Sequence, residues 1–153
     1  MARETLLDRL PVPAGAVHRI PAEQGAADAA RAYGRTLAEV DLFDLVLLGL
    51  GEDGHTASLF PGHDRGDAPG SPDVLAVFDA PKPPPERVSM RAAGLSRARR
   101  VLFLVAGASK RDAVRQWRAG EDIPAASIRG VEGVDVLVEA ALLQDWSNRP
   151  RRE

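Results

Sequence analysis

An α/β fold built on a parallel sheet is what this sequence predicts, and three observations predict it. Two strongly apolar runs, Leu45 to Leu50 and Arg100 to Ala106 (RVLFLVA), each empty into a glycine turn. Uninterrupted apolar runs of this length mark buried parallel strands. An amphipathic helical pattern feeds the first run, and a second helix follows the second run, giving the alternation that builds open α/β sheets.

The elements follow in order. Met1 to Leu10 has Leu6, Leu7 and Leu10 on one face and is closed by Pro11 and Pro13, so it reads as the end of a helix. Ala26, Ala27, Ala30, Tyr33, Leu37 and Val40 recur at steps of three and four, which makes Gln24 to Val40 an amphipathic helix. Leu45 to Leu50 is then a buried parallel strand that breaks at Gly49, Gly51 and Gly54. Thr56 to Phe60 has room for a helical turn before Pro61 and Gly62 stop it, and His63 to Pro72 is a surface loop. Val74 to Phe78 and Arg87 to Met90 are short strands joined by a stiff polyproline segment, Pro81 to Pro85. Gly94 to Ala98 makes a helical turn, and Arg100 to Ala106 is the second long strand. Ser109 and Asp112 form a capping box opening a helix that runs to Gly120. A proline-containing connection, Ile123 to Ile128, leads to a last strand, Val134 to Val138, and a short helix, Glu139 to Leu143. Residues 1–145 thus form one domain, followed by a frayed tail, 146–153.

Composition narrows the function. The chain has 153 residues, 44% of them hydrophobic and 27% charged, the balance of a single globular domain. A formal net charge of -2 gives no global basic field, which argues against nucleic acid or an anionic membrane as partner. There is no cysteine, hence no disulfide framework, thiolate zinc site or cysteine nucleophile. No apolar span or signal-like N-terminus is visible, so the expected address is cytoplasmic. Of 20 basic residues only Lys82 and Lys110 are lysines, and both fall in loops beside apolar strands.

The stretch Asp44 to Gly62, DLVLLGLGEDGHTASLFPG, carries the chemistry. Ligands of open α/β sheets bind at the carboxyl ends of the strands, and here a strand empties into Gly, Asp53 and His55. One reading makes the glycines turn formers, Asp53 a cap and His55 an exposed loop residue. A second takes Gly49 to Gly54 as a G-x-G-x-x-G dinucleotide fingerprint, with Asp79 at the end of the next strand. Against it, Pro61, Gly62, Pro69, Gly70 and Pro72 interrupt the helix such a fingerprint opens, and Glu52 and Asp53 would repel a pyrophosphate.

A third reading comes from three separated motifs in one order. GLGEDGHTASLFPG, APKPPPERVSM and RRVLFLVAGASKRDAV together resemble the 6-phosphogluconolactonases, and the similarity covers nearly the whole chain. The resemblance implies a Rossmann-like parallel sheet flanked by helices, a fold shared with the glucosamine-6-phosphate deaminases. It implies hydrolysis of 6-phospho-D-glucono-1,5-lactone to 6-phosphogluconate, the second step of the oxidative pentose phosphate pathway. It implies no cofactor and no metal.

Ester hydrolysis needs a base that activates water, and an imidazole with an unperturbed pKa of about 6.5 serves at neutral pH. His55 matches the family's motif histidine and is the candidate base, with Asp53 orienting the ring or stabilising imidazolium. Backbone N–H groups of the Gly51 to Gly54 turn are candidates to face the developing oxyanion, and Ser58 is a further substrate contact. For the phosphate, Lys110 in the first turn of a helix matches the lysine of the family's Gly-x-x-Lys turn. Arg87 matches the arginine after the family's polyproline stretch and can grip a phosphate bidentately, with Lys82 as a third cation. His18 and His63 lack such a setting.

Two departures from the family pattern bear on function. The deaminases carry an acidic residue a few positions beyond the motif histidine, where this chain reads Thr56-Ala57-Ser58-Leu59-Phe60-Pro61, so the lactonase reading is favoured. The family's N-terminal strands, its Gly-Gly-Ser-Thr-Pro-like phosphate loop and its Asp-Glu-Arg and Ser-Asn segments have no counterpart here. The expectation is an unpaired, apolar sheet edge open to self-association. Two function classes stand: a lactonase whose histidine and cations this chain supplies, or a non-catalytic remnant that binds sugar phosphates weakly.

Overall fold

In a computed structural model of the chain, residues 2–146 are described; the tail expected at 146–153 lies outside them except for Trp146. Its elements are α1 (Ala2–Thr5), α2 (Ala26–Leu37), β1 (Phe43–Gly49), β2 (Val74–Val77), β3 (Arg87–Met90), α3 (Ala92–Leu95), β4 (Ala98–Val105), α4 (Arg111–Ala119) and β5 (Gly133–Val138), joined by short 3-10 turns. β1, β4 and β5 form a parallel sheet in the order β1-β4-β5, while β2 and β3 make a separate antiparallel pair. This is the Rossmann-like arrangement of a parallel sheet with flanking helices. The register sets Val46 beside Val101 and Leu48 beside Phe103, and on the other side Phe103 beside Val136.

One face of the sheet holds the core. Val101, Phe103 and Val105 are buried there against Ala113 and Val114 of α4, Leu95 of α3, Leu59 and Ile123. Phe103 meets Trp117 of α4 edge to face, with centroids 4.7 Å apart, a geometry that suits the aromatic quadrupole. A second cluster, Ala30, Leu37 and Val74, packs α2 onto the β2–β3 pair. Asp73, just before β2, joins the two parts: it accepts from Arg91 at 2.9 Å and from Arg97 at 3.3 Å, and Arg97 also donates to the carbonyl of Leu37 at 3.2 Å.

The opposite face is bare. Leu47, Leu104 and Leu137 are 57%, 53% and 61% exposed, and the register brings Leu47 beside Leu102 and Leu104 beside Leu137. The expectation of a wholly buried strand at Leu45 to Leu50 is therefore corrected: β1 is parallel, but it is an edge strand with Leu45 and Leu47 turned to solvent. Alternation explains it, since Val46 and Leu48 face the core while their neighbours face away.

Several local expectations also change. The helix expected at Gln24 to Val40 runs only from Ala26 to Leu37. Gly25, at φ +83°, turns the chain into it, and its first N–H, that of Ala26, is satisfied by the Glu86 carboxylate at 2.7 Å rather than by a local cap. Thr56 to Phe60 makes no helical turn; Thr56 and Leu59 form a bridge instead, with Ala57 at φ +50°. The helical turn placed at Gly94 to Ala98 lies earlier, at Ala92–Leu95, because Ala98 already begins β4. The capping box at Ser109 and Asp112 does not form. Lys110 holds the cap position of α4 without a side-chain bond, and Asp112 pairs with Arg115 one turn on at 3.0 Å. The short helix expected after β5 is a 3-10 helix, Ala140–Trp146.

The two faces of the sheet should respond differently to truncation. Phe103→Ala should cost about 3–5 kcal/mol in urea unfolding, whereas Leu47→Ala should stay within about 0.5 kcal/mol. Equal losses would show that the outer face is covered.

Candidate active site

Parallel pairing of β1 with β4 ends both strands at one edge, Gly49 beside Leu104, and delivers the turns that follow them to the same place. After β1 the chain folds back tightly. The buried Thr56 hydroxyl donates to the Gly49 carbonyl at 2.9 Å, and the Gly51 N–H donates to the His55 carbonyl at 2.7 Å. Gly51 permits this: a Cβ there would sit 2.0 Å from His55 Nδ1. Gly54 is constrained twice, by φ +84° and by Ile123, whose Cβ would lie 2.7 Å from an added methyl.

His55 and Asp53 are brought together. Asp53 Oδ1 accepts the His55 backbone N–H at 3.1 Å and lies 2.5 Å from His55 Nδ1. Burial alone would raise the Asp53 carboxyl, but the bonds from the His55 amide and ring together with the imidazole charge outweigh it and hold the group below its usual value. An ionised carboxylate only accepts, so Nδ1 carries a proton, and in the neutral ring the lone pair lies on Nε2. The side chains are 20% and 33% exposed, open enough for a small molecule to reach. The ring also packs on buried Phe60, with centroids 4.8 Å apart.

The cations are arranged less simply than the sequence suggests. Arg87 lies over the Phe60 ring, its guanidinium carbon 5.4 Å from the centroid. Its Nε donates to the Pro84 carbonyl at 2.9 Å and one terminal nitrogen to the carbonyls of Lys82 and Pro83 at 2.7 and 3.2 Å, so it braces the proline loop. Lys82 is engaged by Glu52 at 2.5 Å. Lys110 stands at the head of α4, in the loop whose Gly107 N–H is held by Glu139 Oε2 at 2.8 Å.

One expected role changes. The Gly51 and Gly54 N–H groups are spent inside the turn, on the carbonyls of His55 and Gly51, so these two amides do not serve an external oxyanion. Ser58 is positioned by its N–H, which donates to the buried Ser89 hydroxyl at 3.1 Å, and it lines a groove of about 640 Å³ with His63, Leu75 and Asp79. His63, set aside in the sequence, lies 3.7 Å from Asp79 and edge-on to Phe60 at 5.9 Å. Phe60, Thr56, Glu52 and Glu139 were missed; only Phe60 carried a signal, as a lone aromatic beside the motif histidine.

The chain as a whole has known relatives. The family model for glucosamine-6-phosphate isomerases/6-phosphogluconolactonase matches residues 1–137. The chain belongs to this family. A 6-phosphogluconolactonase of Rattus norvegicus is 36% identical over 139 residues, covering 83% of this chain and 52% of that protein. The 6-phosphogluconolactonase of Mycobacterium tuberculosis is 38% identical over 144 residues, covering 84% and 58%. The crystal structure of a 6-phosphogluconolactonase from Thermotoga maritima superposes with a TM-score of 0.79 at 30% identity, covering 89% of this chain and 62% of that one. The chain therefore spans little more than half the length of the family members it matches. No helix among the described residues is long and apolar enough to cross a membrane.

Placing a methyl at Gly51 tests the geometry. Gly51→Ala should break the approach of the His55 ring to the turn, read as a changed imidazole NMR environment with the fold retained. An unchanged His55 signal would refute the close packing.

Proposed function

We propose that this chain carries the catalytic histidine and the cationic part of the site of a 6-phosphogluconolactonase, hydrolysing 6-phospho-D-glucono-1,5-lactone to 6-phosphogluconate in the oxidative pentose phosphate pathway. The observation that carries the reading is the Asp53–His55 pair at 2.5 Å, at the carboxyl edge of the sheet in a family whose named relatives are 6-phosphogluconolactonases.

His55 Nε2 takes a proton from water as the water oxygen attacks the lactone carbonyl. Asp53 holds the ring and stabilises the imidazolium that forms. The carbonyl oxygen becomes an oxyanion as the water adds. Collapse of the tetrahedral intermediate breaks the ring C–O bond, and the imidazolium returns its proton to the departing oxygen, leaving acid and alcohol. Lys110 and Arg87, with Lys82, take the phosphate, and Ser58 contacts the sugar. The deaminase alternative lacks the carboxylate it would need between Thr56 and Pro61. The partner in this reading is a small sugar-phosphate lactone, in the cytoplasm, with neither nucleic acid nor membrane involved, and the chemistry calls on no cofactor.

A second reading, a sugar-phosphate-binding remnant without turnover, is favoured by one observation: Leu47, Leu104 and Leu137 lie bare on a sheet whose outer face is covered in α/β proteins generally. The same face and the open β1 edge support self-association. Sedimentation should show a concentration-dependent dimer that Leu47→Lys weakens; a monomer at all concentrations would refute it.

Fresh 6-phosphogluconolactone decides between the readings, with a no-protein blank because the lactone also opens spontaneously. The lactonase reading expects a rate above the blank that falls about 100-fold or more in His55→Ala. A folded chain at the blank rate selects the remnant, and activity that survives His55→Ala removes His55 from the mechanism.

A further inference from the structure

Of 20 basic side chains in the sequence only two are lysines, and both act on one carboxylate. Lys82 Nζ lies 2.5 Å from Glu52 Oε1. Lys110, across the β1–β4 pair from the turn that carries Glu52, adds its charge to that of Lys82, and the two hold the Glu52 carboxyl below its usual range. Neither end of the Glu52–Lys82 pair is free to wander. Glu52 sits in the turn closed by the Gly51 and Gly54 bonds, next to Asp53. Lys82 sits in the loop whose carbonyls at Lys82, Pro83 and Pro84 are gripped by Arg87. The pairing is thus set by two braced loops, not by chance meeting of long side chains.

We propose that Glu52 is an internal anion: it holds Lys82 of the phosphate subsite, and an arriving phosphate monoester must displace it from that lysine. The proposal rests on the lactonase reading for the identity of the molecule that bears the phosphate. Its physical basis is competition. A pair as open as this one, with side chains 45% and 50% exposed, is weak in water, so a phosphate with nearly two charges and three acceptor oxygens can replace it. A ligand with a single carboxylate has no such advantage over Glu52. The residue therefore raises the threshold for every anion and favours the phosphate dianion, while keeping the lysines in place when the site is empty. The plain alternative is a surface ion pair that only fastens the proline loop to the glycine turn.

Calorimetric titration of inorganic phosphate into the full chain separates the two without any turnover. If Glu52 competes, Glu52→Gln should bind phosphate about two- to fivefold more tightly than wild type, and in a Lys82→Gln background the same Glu52→Gln substitution should bring no gain. Glu52→Ala, which leaves no group to bond Lys82, should behave like Glu52→Gln. If Glu52 only fastens the loop, its removal lets Lys82 swing away and phosphate binds more weakly. An unchanged constant, a weaker one, or no measurable binding by Glu52→Gln each overturns the proposal. Because no lactone enters the titration, its failure is distinct from failure of the lactonase reading, which would appear as hydrolysis indifferent to His55→Ala.

Discussion

A hydroxyl buried from solvent, that of Thr56, reaches back seven residues to the carbonyl at the end of β1. A buried polar group left unpaired costs about 1–3 kcal/mol, so the bond is held firmly and the chain between its ends has little freedom. Within that closed span the Gly51 N–H meets the His55 carbonyl, the ring of His55 lies against the α-carbon of Gly51, and Asp53 receives both nitrogens of His55 that face it. The histidine is positioned by the backbone first and by its carboxylate second. The strand supplies the anchor, since Gly49 is fixed by its pairing with β4.

The parts of this design that were legible in the sequence are those encoded locally. An apolar run breaking into Gly, Asp and His predicted a strand end with chemistry on it, and the structure places His55 and Asp53 there. Arg87 to Met90 was readable as a strand, and β4 and β5 were placed within two residues at their starts and one at their ends, because β-branched and aliphatic residues cluster between glycine and proline punctuation. What was not legible depends on residues far apart. Glu86 caps a helix that starts sixty positions earlier, and no local spacing announces it. The Ser109–Asp112 box failed because a tight 3-10 turn after Gly107 put Lys110 at the helix start. The glycine amides looked available for an oxyanion until their partners inside the turn were known. Likewise Lys82 read as a free cation, though a carboxylate thirty residues upstream engages it.

Burial of β1 was misjudged for a different reason. Its six apolar residues satisfy the pattern of a strand covered twice, but sequence cannot say what lies on the second side. The described residues cover one face with α3 and α4 and leave Leu45, Leu47, Leu104 and Leu137 in water. The apolar pattern is that of a strand covered on both sides, while the described residues cover one. In energetic terms, the core around Phe103 does the stabilising, and the outer leucines contribute little until something covers them.

The bond from Gly107 N–H to Glu139 carries its own consequence. Lys110 is reached through a loop fastened to the far end of β5, so the height of that strand against β4 determines where the ammonium stands. A shift of β5 along its neighbour would move the cation and leave the histidine, held by its own turn, where it is. Residues remote from the glycine turn in sequence thus bear on the placement of Lys110 and not on that of His55.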